Sequence, residues 1–190
     1  MHEEKSSLRI EARRSLERTD MMGEDPEKAA DFFFEAVQPD PSQVISAYWP
    51  KGRELDTAPI LERLLEDGFT CALPVMQDKT LVMNFACWVE RIAMRRGRFD
   101  IMEPDSKDYI EPDILIVPML AFDRRGYRLG QGGGYYDSTL ADLRARRDIL
   151  AVGYAYASQA CLFNLPTEDH DQKMDLIITP QGVHDFREKD

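Results

Sequence analysis

The chain has 190 residues, of which 43% are hydrophobic and 31% are charged, and its formal net charge is −11. This length and composition are typical of one globular domain, spanning residues 1–190, with a sizeable core. The negative charge, without a basic face or stripe, argues against binding to nucleic acid or to a membrane surface, so we expect neither among its partners.

The three cysteines, Cys71, Cys87 and Cys161, lie far apart and form no C-x-x-C pair. This pattern argues against a disulfide framework or a zinc knuckle and favours a reducing compartment. The N-terminal residues lack the apolar core of a signal peptide, and no stretch approaches the roughly 20 apolar residues of a membrane span. The sequence therefore predicts a cytoplasmic protein whose cysteines are small buried residues rather than nucleophiles.

Apolar residues recur with helical spacing near the start of the chain, at Leu8, Ala12 and Leu16, with arginine and glutamate on the other faces. β-branched and aromatic runs between turn signals predict strands. The predicted helices are 3–19, 27–37, a third that begins after Asp56 or Thr57 and ends at Gly68, and 134–146. The predicted strands are 44–49, 69–75, 80–85, 114–117, 149–154 and, as the last of the chain, 176–179. The pattern at 88–96 fits either a helix or irregular structure.

Strands and helices alternate along the chain, and no linker, repeat or low-complexity run divides it. This order predicts an α/β three-layer sandwich in which a mainly parallel central sheet is flanked by helices. In such sheets the ligand lies outside the carboxyl ends of the strands. We therefore expect the functional site in the loops that follow the strands.

A glycine-dense loop, RLGQGGGYYD at 128–137, lies between the apolar run 114–117 and the helix predicted at 134–146. Backbone N–H groups at a helix N-terminus, freed of side-chain bulk by glycine, are suited to bind phosphate. Arg128 adds a charged donor, and Asp137, in the first helical turn, is placed to hold a magnesium ion. The loop lacks the Gly-Lys-Ser/Thr ending of a P-loop, and Tyr135 breaks the G-x-G-x-x-G dinucleotide fingerprint. The alternative is a glycine-rich turn that only reverses the chain.

The longer segment from Pro118 to Asp137, PMLAFDRRGYRLGQGGGYYD, resembles the signature of the 5-formyltetrahydrofolate cyclo-ligase family, also called methenyltetrahydrofolate synthetases. Further segments resemble that family in the same order along the whole chain: Lys5-x-x-Leu8-Arg9, 48–57, 97–104, 165–171 and 175–180. The resemblance implies a Rossmann-like fold, similar to that of the CoA-transferases. Two loop positions depart from some relatives. Gln131 stands where an aromatic or basic residue is common, and Gly133 replaces a lysine, which removes one phosphate contact.

The resemblance implies the reaction that closes 5-formyltetrahydrofolate to 5,10-methenyltetrahydrofolate while ATP is cleaved to ADP and phosphate. In that reaction ATP phosphorylates the formyl oxygen, N10 of the folate attacks the activated carbon, and phosphate leaves. Phosphoryl transfer depends mainly on positioning and charge neutralisation. The implied ligands are ATP as co-substrate, Mg²⁺, and 5-formyltetrahydrofolate with or without a polyglutamate tail, and the protein is expected to act as a monomer.

The residues of the family map onto matching positions of this chain, and Arg128 is expected to be catalytic. The resemblance implies that the nucleotide is bound by Lys5, Arg9, Arg128, Leu129, Gly130, Gln131, Gly132, Gly133, Gly134, Tyr135 and Tyr136. It implies that the folate is bound by Arg9, Glu54, Gln131, Gly132, Gly133, Gly134 and Tyr135, and the metal by Asp137 and Asp171. Trp49 and Tyr48, at a predicted strand end near Glu54, are placed either to stack on the flat pterin or to pack in the core, and Trp49 is expected to be among the residues that bind the folate.

Each of these residues also has a structural interpretation. Lys5 and Arg9 fit a solvated helix face, and Glu54 fits a solvated loop. Asp137 would be stabilised at the positive end of a helix whatever its other role. Asp171 fits a polar turn.

Two other functions are compatible with the sequence. One is a non-catalytic regulator that binds folate or nucleotide, although the chain keeps the loop arginine and both expected metal carboxylates. The other is an ATP-dependent ligase or kinase that acts on another small anion, against which Glu54 beside aromatic residues argues mildly.

Overall fold

The computed structural model describes residues 2–20 and 22–187 of the chain. In this part, the helices are α1 (His2–Arg18), α2 (Pro26–Val37), α3 (Ala58–Glu66) and α4 (Tyr135–Arg144), with 3-10 turns at Arg98–Asp100 and Ala157–Gln159. The strands are β1 (Val44–Ser46), β2 (Thr70–Val75), β3 (Asn84–Trp88), β4 (Met94–Arg96), β5 (Met102–Pro104), β6 (Ile114–Val117), β7 (Ala121–Phe122), β8 (Arg128–Leu129), β9 (Leu150–Tyr154), β10 (Leu176–Thr179) and β11 (Gly182–Asp185).

A seven-stranded sheet in the order β11-β10-β9-β6-β1-β2-β3 forms the centre of the fold. The five inner strands are parallel, and β11 and β3 pair antiparallel at the two edges. In the middle of the sheet, Ile114 of β6 lies opposite Ile45 of β1 on one side and Leu150 of β9 on the other. The predicted α/β fold with a mainly parallel sheet is confirmed.

Helices cover both faces of this sheet because alternate side chains of each strand point to opposite sides. Ile116 of β6 packs in a core cluster with Phe33 of α2 and Leu64 of α3. Its neighbour Leu115 packs in a second cluster with Leu140 of α4. All four residues of β6 are buried. A strand covered on both faces is expected to be a continuous apolar run rather than an alternating one.

The predicted helices 3–19, 27–37 and 134–146 correspond to α1, α2 and α4, with small differences at their ends. At the start of α3, Thr57 takes the N-cap position without a side-chain cap bond, and Oδ1 of Asp56 accepts a hydrogen bond from the Ala58 N–H at 3.0 Å. The Thr57 hydroxyl instead donates to the carbonyl of Tyr48 at 2.7 Å.

Some predicted strands were wrong in extent or position. The strand predicted at 44–49 ends at Ser46, after which the chain turns towards α3. The strand predicted at 80–85 lies at Asn84–Trp88 instead. Its antiparallel register against β2, which runs from Val75 opposite Asn84 to Cys71 opposite Trp88, decides this position.

Residues 88–96, for which the sequence fits a helix or irregular structure, contain the end of β3 and the whole of β4. β4 pairs antiparallel with β5 and forms a two-stranded arm. The strand at 176–179 is not the last, because β11 returns antiparallel to β10. Strands of three or four residues carry too little periodicity to be recognised locally. Among the described residues, no helix combines the length and the apolar character needed to cross a bilayer.

Candidate functional site

The glycine loop follows the carboxyl end of β6 through a small β-ribbon. In this ribbon β7 pairs antiparallel with β8, so that Phe122 lies opposite Arg128. The loop then runs from Gly130 to Gly134, where α4 begins. It therefore lies at the edge of the parallel sheet where α/β proteins bind their ligands.

Two of the loop glycines adopt backbone conformations that other residues rarely reach. Gly132 has a φ of +102°, and Gly134, the N-cap residue of α4, has a φ of +73°. Between them, a Cβ on Gly133 would lie only 2.9 Å from Cδ2 of Tyr135. Glycine is therefore required by the path of the loop, which brings backbone rather than side chains to the start of α4.

The backbone N–H groups of residues 131–137 have no protein acceptor within residues 2–20 and 22–187. The first N–H after them that is paired is that of Ser138, which donates to the carbonyl of Gly134 at 3.0 Å. The positive end of the α4 dipole lies at the same place. A row of unpaired N–H groups at a helix N-terminus is suited to a multiply charged anion such as phosphate.

Arg128 precedes the loop and is almost fully buried. Its Nη1 donates to Oδ1 of Asp137 at 2.8 Å, and its side chain is 4% exposed. In the described part of the chain, Nε of Arg128 is buried and has no hydrogen-bond partner. A buried N–H without a partner is costly and rare, so this nitrogen is a candidate donor to a polar or anionic ligand.

Helix α1 places two arginines against the same loop. Nε of Arg9 donates to the carbonyl of Gly130 at 3.0 Å, and a Cβ on Gly132 would lie 3.2 Å from that nitrogen. Arg13 donates to Oε1 of Gln131 at 3.1 Å from Nε and 3.0 Å from Nη2, and to its carbonyl at 3.2 Å. The predicted site includes Arg9 but not Arg13, although their i, i+4 spacing places both on one helix face.

The first turns of α1 reach a second loop, residues 168–172. Nζ of Lys5 donates to Oδ2 of Asp171 at 2.6 Å and to Oε2 of Glu168 at 2.8 Å, and Lys5 is 5% exposed. Burial opposes the ammonium charge, but the hydrogen bonds and charges of Asp171 and Glu168 outweigh it and raise the pKa of Lys5. The interpretation of Lys5 as a solvated residue is therefore wrong.

The 168–172 loop also contacts the carboxylate at the start of α4. The Gln172 N–H donates to Oδ1 of Asp137 at 2.9 Å. The two carboxylates expected to bind magnesium thus lie on adjoining segments, that of Asp137 in the first turn of α4 and that of Asp171 in the 168–172 loop. Ligand atoms of Glu168, His170 and Asp171 all lie within 4.8 Å of one another. Carboxylate oxygens are the ligands that Mg²⁺ prefers, so the residues present fit this ion.

Glu54 reaches the glycine loop through Gln131. Its Oε2 accepts a hydrogen bond from the Lys51 N–H at 2.9 Å, and its Oε1 accepts one from Nε2 of Gln131 at 3.4 Å. Burial raises the pKa of Glu54 above its usual value of 4.5, although the bonds from Lys51 and Gln131 act in the other direction. Burial, with the nearby charge of Glu54, also raises the pKa of Tyr136. Glu54 is therefore a part-buried carboxylate that borders the loop.

The two aromatic residues near Glu54 differ in their environment. Tyr48 is 2% exposed, and its hydroxyl donates to the carbonyl of Leu55 at 2.6 Å. Its ring packs in the core, as the structural interpretation held. Trp49 is 38% exposed, which leaves its indole accessible to a ligand.

The tip of the β4–β5 arm contacts Tyr135 and is absent from the predicted site. Nη1 of Arg98 donates to the Tyr135 hydroxyl at 2.9 Å. The ring of Phe99, which is 58% exposed, lies edge-on to that of Tyr135 with centroids 6.0 Å apart. Phe99 and Asp100 have φ values of +57° and +59°. Such backbone strain in non-glycine residues collects at functional sites, so the tip is a candidate wall of the site.

An apolar groove of about 330 Å³ lies between α1 and the segment that follows Ala157–Gln159. Leu8 and Ala12 line it from α1, and Leu129 lines it from the start of the glycine loop. On α1, Leu8 directly precedes Arg9, and Ala12 directly precedes Arg13. The groove therefore lies beside the glycine loop, and its lining is apolar whereas the loop presents polar N–H groups.

The contacts described above connect seven residues that were predicted to bind ligands and that come from separate segments of the chain. The connected residues are Lys5, Arg9, Glu54, Arg128, Gln131, Asp137 and Asp171. Trp49 makes no hydrogen bond or ring contact with them within the described residues. The binding roles themselves remain predictions.

Comparison with known proteins identifies relatives of this chain. The model of the 5-formyltetrahydrofolate cyclo-ligase family matches residues 1–180. The 5-formyltetrahydrofolate cyclo-ligase of Escherichia coli (strain K12) is 35% identical over 142 residues, which cover 70% of this chain and 75% of the relative. The protein of the same name from Mycolicibacterium smegmatis is 31% identical over 147 residues, which cover 73% of this chain and 74% of the relative.

Solved structures show the same architecture. The NMR structure of Aquifex aeolicus 5,10-methenyltetrahydrofolate synthetase has a TM-score of 0.79 and 28% identity, covering 98% of this chain and 94% of that one. The 5,10-methenyltetrahydrofolate synthetase of Mycoplasma pneumoniae has a TM-score of 0.70 at 22% identity, covering 93% of this chain and 98% of that one, and shows a likeness of fold.

Proposed function

This chain belongs to the 5-formyltetrahydrofolate cyclo-ligase family, a family of ligases, and from that membership we propose that it converts 5-formyltetrahydrofolate and ATP into 5,10-methenyltetrahydrofolate, ADP and phosphate. One observation carries the proposal. In the described chain, the N–H groups of residues 131–137 have no acceptor, and Nε of Arg128, beside them, has none either. A reaction that cleaves ATP needs such donors for its phosphates.

The triphosphate would lie across the glycine loop. The unpaired N–H groups supply fixed dipoles there, and Arg128 supplies a charged donor that is already buried. Arg9, held 3.0 Å from the carbonyl of Gly130, would add a second cation from α1. The positive charge at the loop would offset the absence of a lysine at Gly133.

The nucleoside would occupy the apolar groove beside the loop. Leu8, Ala12 and Leu129 line this groove, and the first two lie on the helix that presents Arg9 to the phosphates. A purine is flat and largely apolar, and ligand sites typically pair an apolar pocket with a few polar groups.

Mg²⁺ would be held by Asp137, in the first turn of α4, and Asp171, in the 168–172 loop, two segments that the bond from the Gln172 N–H connects. When bound with ATP, this ion neutralises charge on the phosphate oxygens. Asp137 also accepts a hydrogen bond from Arg128 at 2.8 Å. The arginine would therefore keep the carboxylate in place for the ion.

The folate would bind on the side of the loop that faces Glu54. A carboxylate suits the pterin edge, which presents adjacent N–H donors, and Glu54 now accepts from the Gln131 amide and the Lys51 N–H. Pterin donors would replace the long bond from Gln131. Trp49 and Phe99, both exposed, offer aromatic surface for the flat rings of the folate.

The reaction would proceed in two displacements. The formyl oxygen attacks the γ-phosphorus, the bond to the β-phosphate oxygen breaks, and ADP leaves. N10 then attacks the formyl carbon, the carbon–oxygen bond breaks with loss of phosphate, and the N10 proton passes to solvent. Arg128 would stabilise the charge that develops on the transferred phosphoryl oxygens, which is the contribution expected of a buried, preorganised donor.

We also infer a monomer that acts in the cytoplasm. The three cysteines are free thiols in the structure, as a reducing compartment requires. Sedimentation at working concentration would test the monomer.

The proposed activity is tested by absorbance. Purified protein, ATP, Mg²⁺ and 5-formyltetrahydrofolate should give a rise in the near ultraviolet, because the methenyl product is conjugated, and ADP should form in equal amount. Omission of any one component should abolish the rise. Nucleotide binding without product would instead support the regulator, and ADP release with other small anions but not with folate would support a different ligase.

A further inference from the structure

The cluster formed by Lys5, Glu168 and Asp171 has the form of a cation site whose cation is a lysine. Nζ of Lys5 lies 2.6 Å from Oδ2 of Asp171 and 2.8 Å from Oε2 of Glu168. The Lys5 side chain is 7% exposed, and that of Asp171 is 15% exposed. Nε2 of His170 lies 3.8 Å from Glu168 and 3.9 Å from Asp171. Two carboxylates that could ligate a metal ion thus converge on one ammonium group, and His170 lies beside these carboxylates.

We infer that Lys5 keeps Asp171 closed to divalent cations until a nucleotide binds, so that the metal enters with the nucleotide and not before it. A metal ion on Asp171 would be a neighbour of the ammonium, because both would lie against the same carboxylate. Two cations at that separation repel strongly in a part-buried site, where solvent screens them little. Oδ2 of Asp171 also accepts the Glu168 N–H at 2.7 Å, so this oxygen already has two donors.

A bound triphosphate would remove this obstacle. Lys5 and Arg9 lie one turn apart on α1, and Arg9 already contacts the glycine loop through Gly130. Phosphates held by the N–H groups of residues 131–137 would therefore lie within the range of a flexible lysine side chain. Once Lys5 turns to the phosphates, Asp171 loses its counter-ion and becomes available to the metal. Lys5 is thus a positioning residue that couples the two ligands.

This inference rests on the proposed function only for the identity of the anion that draws Lys5 away. The exclusion of metal from the nucleotide-free protein depends on the ion pairs alone. It can therefore fail while the ligase activity stands, and it can hold in a protein that lacks that activity.

The test is a titration of the nucleotide-free protein with Mn²⁺ alone, in which the electron paramagnetic resonance signal of the free ion is measured. Lys5→Met removes the ammonium and keeps the length of the side chain, so it should bind Mn²⁺ about tenfold or more tightly than the wild type, a size typical of coupling between two sites. Adding Asp171→Asn should abolish the gain. Lys28→Met makes the same change of net charge at an exposed lysine of α2 and should behave as the wild type.

Two results would overturn the inference. One is that Lys5→Met binds Mn²⁺ no more tightly than the wild type, and the other is that Lys28→Met gains as much affinity as Lys5→Met. Because loss of Lys5 removes an ammonium that lies against Glu168 and Asp171, thermal unfolding of each variant is measured first. If Lys5→Met does not fold, Lys5→Gln, which can still donate to Asp171 without carrying charge, is used in its place with the same expected gain.

Discussion

Arg128 and Asp137 tie together the two ends of the glycine loop. Nη1 of Arg128 lies 2.8 Å from Oδ1 of Asp137, and the side chains are 4% and 17% exposed. The glycines between them contribute no side chains that could hold the loop in place. The pair also joins the guanidinium proposed for phosphate with a carboxylate proposed for the metal, so a change at either residue affects both functions.

The first prediction concerns Arg128. We expect Arg128→Met to lower kcat of the proposed reaction by about 10²-fold or more, as loss of one preorganised donor does. The substitution also removes the guanidinium from Asp137, whose carboxylate then keeps the hydrogen bond from the Gln172 N–H. This loss should lower the free energy of unfolding by about 1–3 kcal/mol. The double variant Arg128→Met, Asp137→Asn removes the unpaired charge and should recover stability without recovering turnover. Product absorbance and urea unfolding measure the two effects, and turnover at the wild-type rate in Arg128→Met would remove this residue from the mechanism.

The second prediction concerns Gly132. Its φ is +102°, and an added Cβ would lie 3.2 Å from Nε of Arg9. Gly132→Ala should therefore cost about 1–2 kcal/mol of stability and displace Arg9, which raises the dissociation constant for ADP measured by calorimetry. Gly68→Ala is the matched control, because its φ is +82° and nothing lies within 4 Å of its Cβ. It should lose similar stability and keep the affinity for ADP. Equal affinities in the two variants would show that Gly132 serves folding alone.

The third prediction concerns the pH dependence of folate binding. Burial raises the pKa of Glu54 above 4.5, so this carboxyl takes up a proton at a higher pH than an exposed one. Since the ionised form accepts the pterin donors, KM for folate should rise as pH falls towards the raised pKa. Glu54→Gln should weaken folate binding about tenfold, as expected for a lost charged hydrogen bond, and flatten the profile. Glu62→Gln, at an exposed position of α3, should keep both the affinity for folate and the pH profile of the wild type.

The raised pKa of Glu54 also makes the stability of the fold depend on pH in a defined direction. Because the folded-state pKa of Glu54 is raised, its contribution to stability is present below the unfolded value and is lost as pH rises through the folded value. The free energy of unfolding of Glu54→Gln should therefore decrease less between acidic and neutral pH than that of the wild type. If KM and the free energy of unfolding of Glu54→Gln varied with pH as those of the wild type do, Glu54 would not be the group with the raised pKa.

The fourth prediction concerns Arg13. It holds Gln131 by both its side chain and its backbone carbonyl, and Gln131 reaches Glu54 at 3.4 Å. Arg13→Ala should raise KM for ATP and for folate about two- to tenfold, the size expected for exposed hydrogen bonds, with little change in kcat. Arg14→Ala removes the same charge from the next residue of α1, which is exposed. Indistinguishable kinetics in the two variants would mean that Arg13 does not position the loop.

Local sequence patterns predicted most of the elements of the fold. The apolar run of β6, the glycines after it and the apolar spacing in α1 and α4 are dense signals that lie close together in the chain, and they predicted the parallel sheet and its helices correctly. β3 was displaced, and β4, β5, β7, β8 and β11 were not recognised, because the position of such short strands depends on the strands with which they pair. Cys71 of β2 lies opposite Trp88 of β3. The residues next to either of them in the sequence do not reveal this pairing.

The candidate site divides in the same way. Arg128, the glycines and Asp137 occupy one continuous segment, so the chain order alone determined that a guanidinium, free backbone amides and a carboxylate would meet. The contacts of Arg13, Arg98 and Glu168 depended on how α1, the β4–β5 arm and the 168–172 loop pack together. Lys5 and Asp171 are 166 residues apart in the chain and 2.6 Å apart in space. Which charges neutralise one another depends on distance through space, and only the tertiary structure sets that distance.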